Sequence, residues 1–380
     1  MKRELKTMFA RPLYIVSSVG VMAFCTVFFT SLLSSGSAEE MPVAVVDMDQ
    51  STISQRLIHE MQATPSVDIQ LVTNSYPEAR DAMQKGKIYG IFLIHEGFYR
   101  DLVSFKRPQL DFYMTNAYML GGNTAYKQML TMVNLVSGAF QREVLRKKGL
   151  PDDIIMHRIQ PMAVEGHMIA NPWGNYSVYL VSTILPGILG LVCMMLTIFV
   201  IGYELKKKTA HTWMGLAGNN FTIAILGKLT PYTLLYFLLG VGCQFTLYDY
   251  IGFPVHGSHV RLMFGLLLFI FAMEALGVLM ITLLPVLRDA LSVGALYAML
   301  GFSLSGFTYP NMAMLAPVKA LSYLEPLRHY YLIYVNEALM GAPAINSMPY
   351  AMSLMAFVLA ALLCSPRLKK VLINDQSYTE

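Results

Sequence analysis

Six stretches of this chain are too long and too apolar to serve as the surface of a water-soluble domain: residues 13–33, 176–201, 229–248, 262–284, 290–307 and 345–364. A helix needs about 20 apolar residues to cross roughly 30 Å of hydrocarbon, and the first stretch supplies that length with no charge at all. Only 14% of the chain is charged and 55% is hydrophobic, whereas soluble domains carry about 25% charged residues. Cys25, Cys193, Cys243 and Cys364 each fall in an apolar run. There a free thiol behaves as a small hydrophobe, and the spacing offers neither a disulfide framework nor a CxxC pair.

The basic residues orient these spans. Lys2, Arg3, Lys6 and Arg11 precede the first, Lys206, Lys207, Lys208 and Lys228 follow the second, Arg288 separates the fourth from the fifth, and Arg367, Lys369 and Lys370 follow the sixth. The other side has only Arg261, Lys319 and Arg328 in its short loops. Cationic loops stay inside, so both termini are expected in the cytoplasm. The basic start, the apolar run and the small residues 34–38 also fit a cleaved signal peptide. Such peptides have a 7–15-residue apolar core, shorter than this run, which favours an uncleaved anchor. The N-terminal residues 1–10 set Leu5, Met8 and Phe9 at helical spacing against Lys2, Arg3 and Lys6, the pattern of an amphipathic helix on the inner membrane surface.

Between the first two spans lies a segment far too long for a structureless loop. Strands are expected at 42–46, 67–72, 88–94 and 109–114, with helices at 55–61, 77–84 and 124–148 between or after them. Alternation of this kind predicts a small mixed sheet covered by helices. The expected fold is therefore a membrane all-α bundle of six transmembrane helices with an inserted extracytoplasmic α/β domain. Its parts are residues 1–33 (amphipathic helix and first span), 34–172 (the α/β domain) and 173–380 (the remaining five helices).

Several local patterns in this layout resemble the type-2 ABC transporter permeases, in the branch with a large outward domain between the first and second spans. Asn171-Pro172 with Asn175-Tyr176, then Leu185-Pro186-Gly187, resembles the family's lead into the second span. Glu204-Leu-Lys-Lys-Lys-Thr209 is similar to the Glu-(Arg/Lys)-Glu-x-Gly-Thr segment that opens its coupling region, with departures that include Lys206 for the second Glu and Lys208 for the Gly. Gly227-Lys228 and Pro231-Tyr232 match the start of the third span. Residues 304–310 and 324–330, with Gly341, resemble the outer segment after the fifth.

The resemblance covers nearly the whole chain and implies a dimerising permease that works with a separate ATPase. The chain has no G-x-x-x-x-G-K-[ST] phosphate loop, so ATP and Mg are expected in that cytoplasmic partner, with no cofactor here. The second permease is a second copy or a paralogue; a periplasmic adaptor and membrane lipid complete the expected partners, and nothing suits nucleic acid. The implied location is the bacterial cytoplasmic (inner) membrane. The ATPase-coupling candidates are Glu204, Lys206, Lys207, Lys208, Thr209, Gly227 and Lys228, with residues 211–216 as a short helix seated in a groove of the ATPase. Pro310, Pro326, Arg328, His329 and Glu337 are candidates for an outer gate, in a segment broken by prolines into short helices. A lid packed only on its own bundle is the competing reading.

Glu274 lies mid-span, where a carboxylate is costly and marks a functional candidate. A substrate path and a structural hydrogen bond to a neighbouring helix both remain open for it. Ser303 and Ser305 join it as path candidates, although small residues at a helix contact explain them equally well. Gly301-Phe-Ser-Leu-Ser-Gly306 falls short of a G-x-S-x-G elbow and sits in a span. His256-Gly-Ser-His259 has loose metal spacing without a completing Cys or carboxylate. No enzyme site is expected and no metal site. A hydrophobic or drug-like compound, a lipid-linked molecule and a peptide all fit as cargo; a non-transporting scaffold or receptor of related architecture, serving secretion, is the alternative function.

Overall fold

A computed structural model describes residues 2–36, 40–65, 67–104, 106, 108–115, 119–159 and 169–373. The chain divides into two compact units, one made of Met1–Ser34 with Met168–Glu380 and the other of Ser35–His167.

The second unit is built on a four-stranded sheet. β1 (Met41–Asp47), β2 (Val67–Thr73), β3 (Gly90–Ile94) and β4 (Leu110–Met114) lie in the order β2-β1-β3-β4. β1 runs parallel to both neighbours and β4 antiparallel to β3. Side chains alternate across a strand, so Val43 and Val45 enter one apolar cluster with Leu57, Met61, Phe92 and Met129, while Ala44 and Val46 enter another with Ala79, Ile91 and Leu93. A central parallel strand buried on both faces reads as an unbroken apolar run, as β1 does. Asp47 ends it by accepting from the amides of Asp49 and Gln50 at 3.1 and 2.9 Å and from Ser54 Oγ at 2.7 Å. The helices are α3 (Thr52–Gln62), α4 (Tyr76–Gln84), α5 (Phe98–Val103), α6 (Met119–Lys147) and α7 (Asp152–Ile159). The sequence reading anticipates the four strands and α3, α4 and α6; α5 and α7 are short and carry no clear period.

The first unit opens with α1 (Lys2–Ala10) and, among the described residues, contains six helices long and apolar enough to cross a membrane: α2 (Pro12–Leu32), α8 (Tyr176–Lys206), α10 (Phe221–Tyr250), α11 (His259–Leu283), α12 (Leu287–Leu304) and α15 (Ala344–Ile373). Between them stand α9 (Ala210–Leu216), α13 (Ala316–Ser322) and α14 (Pro326–Tyr334), the last continuing through Val335–Leu339. Asn175 starts α8 by accepting from the amides of Ser177 and Val178, and Asn171 in turn clamps Asn175 through both its amide and carbonyl. This double asparagine accounts for the spacing seen before the second span.

Lipid tails are as apolar as leucine, so such helices associate through close packing rather than hydrophobic transfer. α11 sits at the centre, with 72% of its apolar window buried, whereas α2 has 11%. Glycines bring α8 and α11 together: Phe269 of α11 packs on Gly190, and Thr197 of α8 packs on Gly277. The third span corrects the sequence expectation. It begins at Phe221, eight residues before the expected start, because Asn220 caps it through Thr222 and Ile223. Lys228, counted among the basic residues that follow the second span, is therefore two turns inside a helix.

Candidate functional site

At the end of the bundle where α1, α8, α9 and α10 meet, burial singles out charged rather than apolar residues. Leu5 and Phe9 of α1 are exposed, while Glu4 and Met8, one turn apart, turn inward. Lys228 is only 2% exposed, yet it projects from α10 into a set of groups that no local pattern joins. Its ammonium donates to Glu4 Oε1 at 3.0 Å and to Glu204 Oε1 at 2.8 Å. Arg3 lies 3.1 Å from Glu204, and Thr209 Oγ1 donates to the second oxygen of the same carboxylate. Two cations and two carboxylates balance, so the cost of burying each ion is offset by its neighbours.

Trp213 of α9 floors the cluster. Lys228 Nζ stands 4.7 Å above its ring, and its indole N–H donates to Ala224 O on α10 at 3.3 Å. A short helix of seven residues is thereby pinned to the start of α10. Before it, Lys208 adopts φ +56°, the left-handed conformation in which a glycine costs nothing and another residue about 1–2 kcal/mol. A lysine thus makes here a left-handed turn that glycine would make without strain. Lys206 closes α8 and is exposed, Lys207 lies 6.0 Å from the Tyr203 ring, and Gly227 is half-buried beside Lys228. Arg11 donates to the Tyr203 hydroxyl at 3.2 Å and covers its ring at 4.6 Å, adding a second tie between the N-terminal segment and α8.

Of the coupling candidates, the structure brings Glu204, Thr209 and Lys228 into one hydrogen-bonded group and leaves Lys206 and Lys207 on the surface. Sequence reasoning missed Glu4, Arg3 and Trp213. The available signal was a single carboxylate in an otherwise basic N-terminal helix, where nothing local requires it.

Glu274 lies elsewhere, 4% exposed on α11, with both oxygens reached by Thr233 Oγ1 of α10 at 2.9 and 2.8 Å. A glutamine accepts the same bond, so Glu274→Gln is expected to hold transport within about threefold of wild type, while Glu274→Leu leaves the hydroxyl only the Leu229 carbonyl at 3.2 Å and costs about 0.5–1.5 kcal/mol. Thermal unfolding and a transport assay on both variants test this, and a transport loss in Glu274→Gln would assign the carboxylate to the substrate path. Ser303 is exposed and its carbonyl accepts from Thr308, while Ser305 closes α12 and bonds Phe302 O at 2.9 Å. Neither serine is hydrogen-bonded to Glu274 among the described residues.

The outer-gate candidates separate into two contacts. Glu337 is fully buried and accepts from Arg261 Nε of α11 at 2.7 Å and from Ser347 Oγ of α15 at 2.8 Å. Pro326 is the first residue of α14, and Arg328 and His329 follow on its first turn, 4% and 2% exposed. His329 Nε2 meets Tyr323 O at 3.0 Å, and burial holds its imidazole below the ordinary range. Pro310 stands before a turn closed by Ala313 N to Pro310 O at 2.9 Å. His256 and His259 do not converge: His256 pairs its amide with Ala338 O, and His259 opens α11 beside Tyr248.

A family model described as ABC-2 family transporter protein matches residues 13–365. The chain is 21% identical over 346 residues to the inner membrane transport permease YhhJ of Escherichia coli strain K12, an alignment covering 87% of this chain and 85% of that protein. The protein of the same name from Shigella flexneri aligns with the same identity and coverage.

Proposed function

The chain belongs to the ABC-2 transporter family, and from that premise we propose that it is the permease of an ATP-driven exporter, moving a hydrophobic or drug-like cargo outward when a separate ATPase closes on ATP. The supporting observation is the buried cluster of Glu4, Glu204 and Lys228 with Arg3, Thr209 and Trp213. It ties a surface helix, two spans and a short connecting helix into one body. A push delivered to α9 is then transmitted to α8 and α10 without loss in a flexible loop. On this reading the cluster faces the cytoplasm, as the positive-inside rule assigns, the unit of residues 35–167 lies on the outer side, and the membrane is the bacterial inner membrane. Nucleotide and Mg belong to the partner chain. The exposed apolar faces of α2 and α12, including Phe24, Val27, Leu296 and Met299, are available to lipid or to a second permease. A periplasmic adaptor would meet the outer unit.

The test is purification of the full chain from its native membrane in mild detergent. An ATPase subunit is expected to co-purify, with nucleotide hydrolysis stimulated by this chain; its reproducible absence would sink the export reading. A finer experiment reverses Lys206, Lys207 and Lys208 to glutamate. Like charges facing a docking surface cost several kcal/mol, so transport is expected to fall about tenfold or more while basal ATP hydrolysis persists. Unchanged coupling would remove the α8–α9 turn from the contact.

A further inference from the structure

The hairpin of α13 and α14 contains polar groups that the export reading leaves without work. Arg328 is 96% buried by its 4% exposure, yet its Nε and Nη1 have no hydrogen-bond partner, and neither does Nδ1 of the adjacent His329. Unsatisfied donors on a buried guanidinium cost several kcal/mol, and each free N–H can donate a charge-assisted hydrogen bond to a carboxylate or phosphate oxygen. Side chains on a helix lean toward its N-terminus. Arg328 does so, because its guanidinium stacks 3.6 Å from the ring centre of Tyr323, which lies just before α14. Helix N-termini attract anions through their free amides, and Glu325, the residue capping this one, makes no side-chain bond to them.

The nearest carboxylate is not the missing partner. Glu325 is 4% exposed, and among the described residues no ion pair joins it to Arg328. Its carboxyl instead lies against α12, where a Cβ added to Gly301 would meet Oε2 at 2.8 Å. Burial pushes it up to about 8, which weakens it as a counter-ion to the guanidinium. The surface of the hairpin beside the site is apolar. Tyr323 is half-exposed, and Leu315, Leu321 and Leu324 of the same segment are exposed by 76%, 56% and 58%. A buried cation beneath an exposed apolar surface matches one kind of ligand.

We infer that Arg328 and His329, beneath Tyr323 and the apolar residues of the α13–α14 hairpin, form a binding site for the anionic head of an amphipathic molecule, a carboxylate or phosphate monoester on an apolar tail. The head accepts from the unpartnered N–H donors of Arg328 near the N-terminus of α14, and the tail lies on Leu321 and Leu324. This goes beyond export, since binding is a property of the isolated chain and does not depend on an ATPase.

The experiment titrates octyl phosphate by calorimetry into the full chain held in phosphatidylcholine nanodiscs, with empty discs as blank. Saturable binding is expected, at least about tenfold weaker in Arg328→Gln, which forfeits a charge-assisted hydrogen bond, and retained in Glu325→Gln. Inorganic phosphate, lacking the tail, is expected to bind at least about tenfold more weakly. Discs containing phosphatidylglycerol distinguish the sources. Loss of octyl phosphate binding there identifies a lipid headgroup as the occupant, and unchanged binding a free amphiphile, both within the inferred chemistry. Equal binding by Arg328→Gln and wild type overturns the inference. Should that variant not fold, the wild-type chain decides alone: octyl glucoside or octyltrimethylammonium competing as well as octyl phosphate also overturns it.

Discussion

Replacing Lys228 with methionine is expected to destabilise the chain by about 3–5 kcal/mol, the cost of removing one partner from a buried ion pair, and to abolish most coupled transport. Methionine preserves the length and packing of the stem, so the loss reports the charge. Glu4 and Glu204 would then face each other without the ammonium that holds both. Arg3, whose side chain is 39% exposed, can still satisfy Glu204, which leaves Glu4 as the orphan. Adding Glu4→Gln to the methionine variant removes that orphan and is expected to recover most of the stability. It does not restore the tie between α1 and α10, so transport should remain depressed by about 5–150-fold, the range that coupling free energies of 1–3 kcal/mol produce. Thermal unfolding in detergent and a transport assay on the single and double variants separate the two effects. A single variant as stable as wild type would show that the cluster is held by packing around Trp213 rather than by its ions.

That cluster also marks the limit of what the sequence discloses. The spans were legible because their signal is local: about 20 apolar residues in succession leave few alternatives. The strands were legible for a similar reason, since β1 is a continuous run of Val43 to Val46 and the turn after it is rich in capping residues. The start of α10 lies before its apolar run because the Asn220 cap sets it, whereas hydropathy counts Lys228 against a span. A charge lowers the apparent hydropathy of a helix without saying whether a counter-ion awaits it. Glu4 and Lys228 are 224 positions apart, and Arg261 and Glu337 are 76 apart. Pairings at that range depend on which helices meet, and periodicity carries no such information. Glu204, Thr209 and Lys228 were named through family resemblance, Glu274 through the cost of a mid-span carboxylate, and Arg3, Glu4 and Trp213 by neither route.

The second large effect is expected from Gly277→Val, at the seam between α8 and α11. A Cβ at this position would stand 2.8 Å from Thr197 Cβ and 3.0 Å from the carbonyl oxygen of Met194. The first obstacle is a side chain fixed close to its own backbone and the second is backbone, so neither can yield by rotating a distant group. α11 must step away from α8, opening the contacts that make it the most buried span. Overpacking of this kind costs about 1–3 kcal/mol and occasionally more, and no water-driven burial offsets it between membrane helices. Gly242 supplies the control, since it too lies within a long apolar helix but has nothing within 4 Å of its added Cβ. Gly242→Val is expected to be neutral or slightly stabilising, because glycine is itself a poor helix former by about 1 kcal/mol. Folded yield and thermal unfolding of the two valine variants give the comparison directly. Equal behaviour would mean that α8 and α11 are loosely apposed. A loss confined to Gly277→Val would establish the seam as the rigid support from which Glu274, one turn earlier on α11, reaches Thr233 on α10.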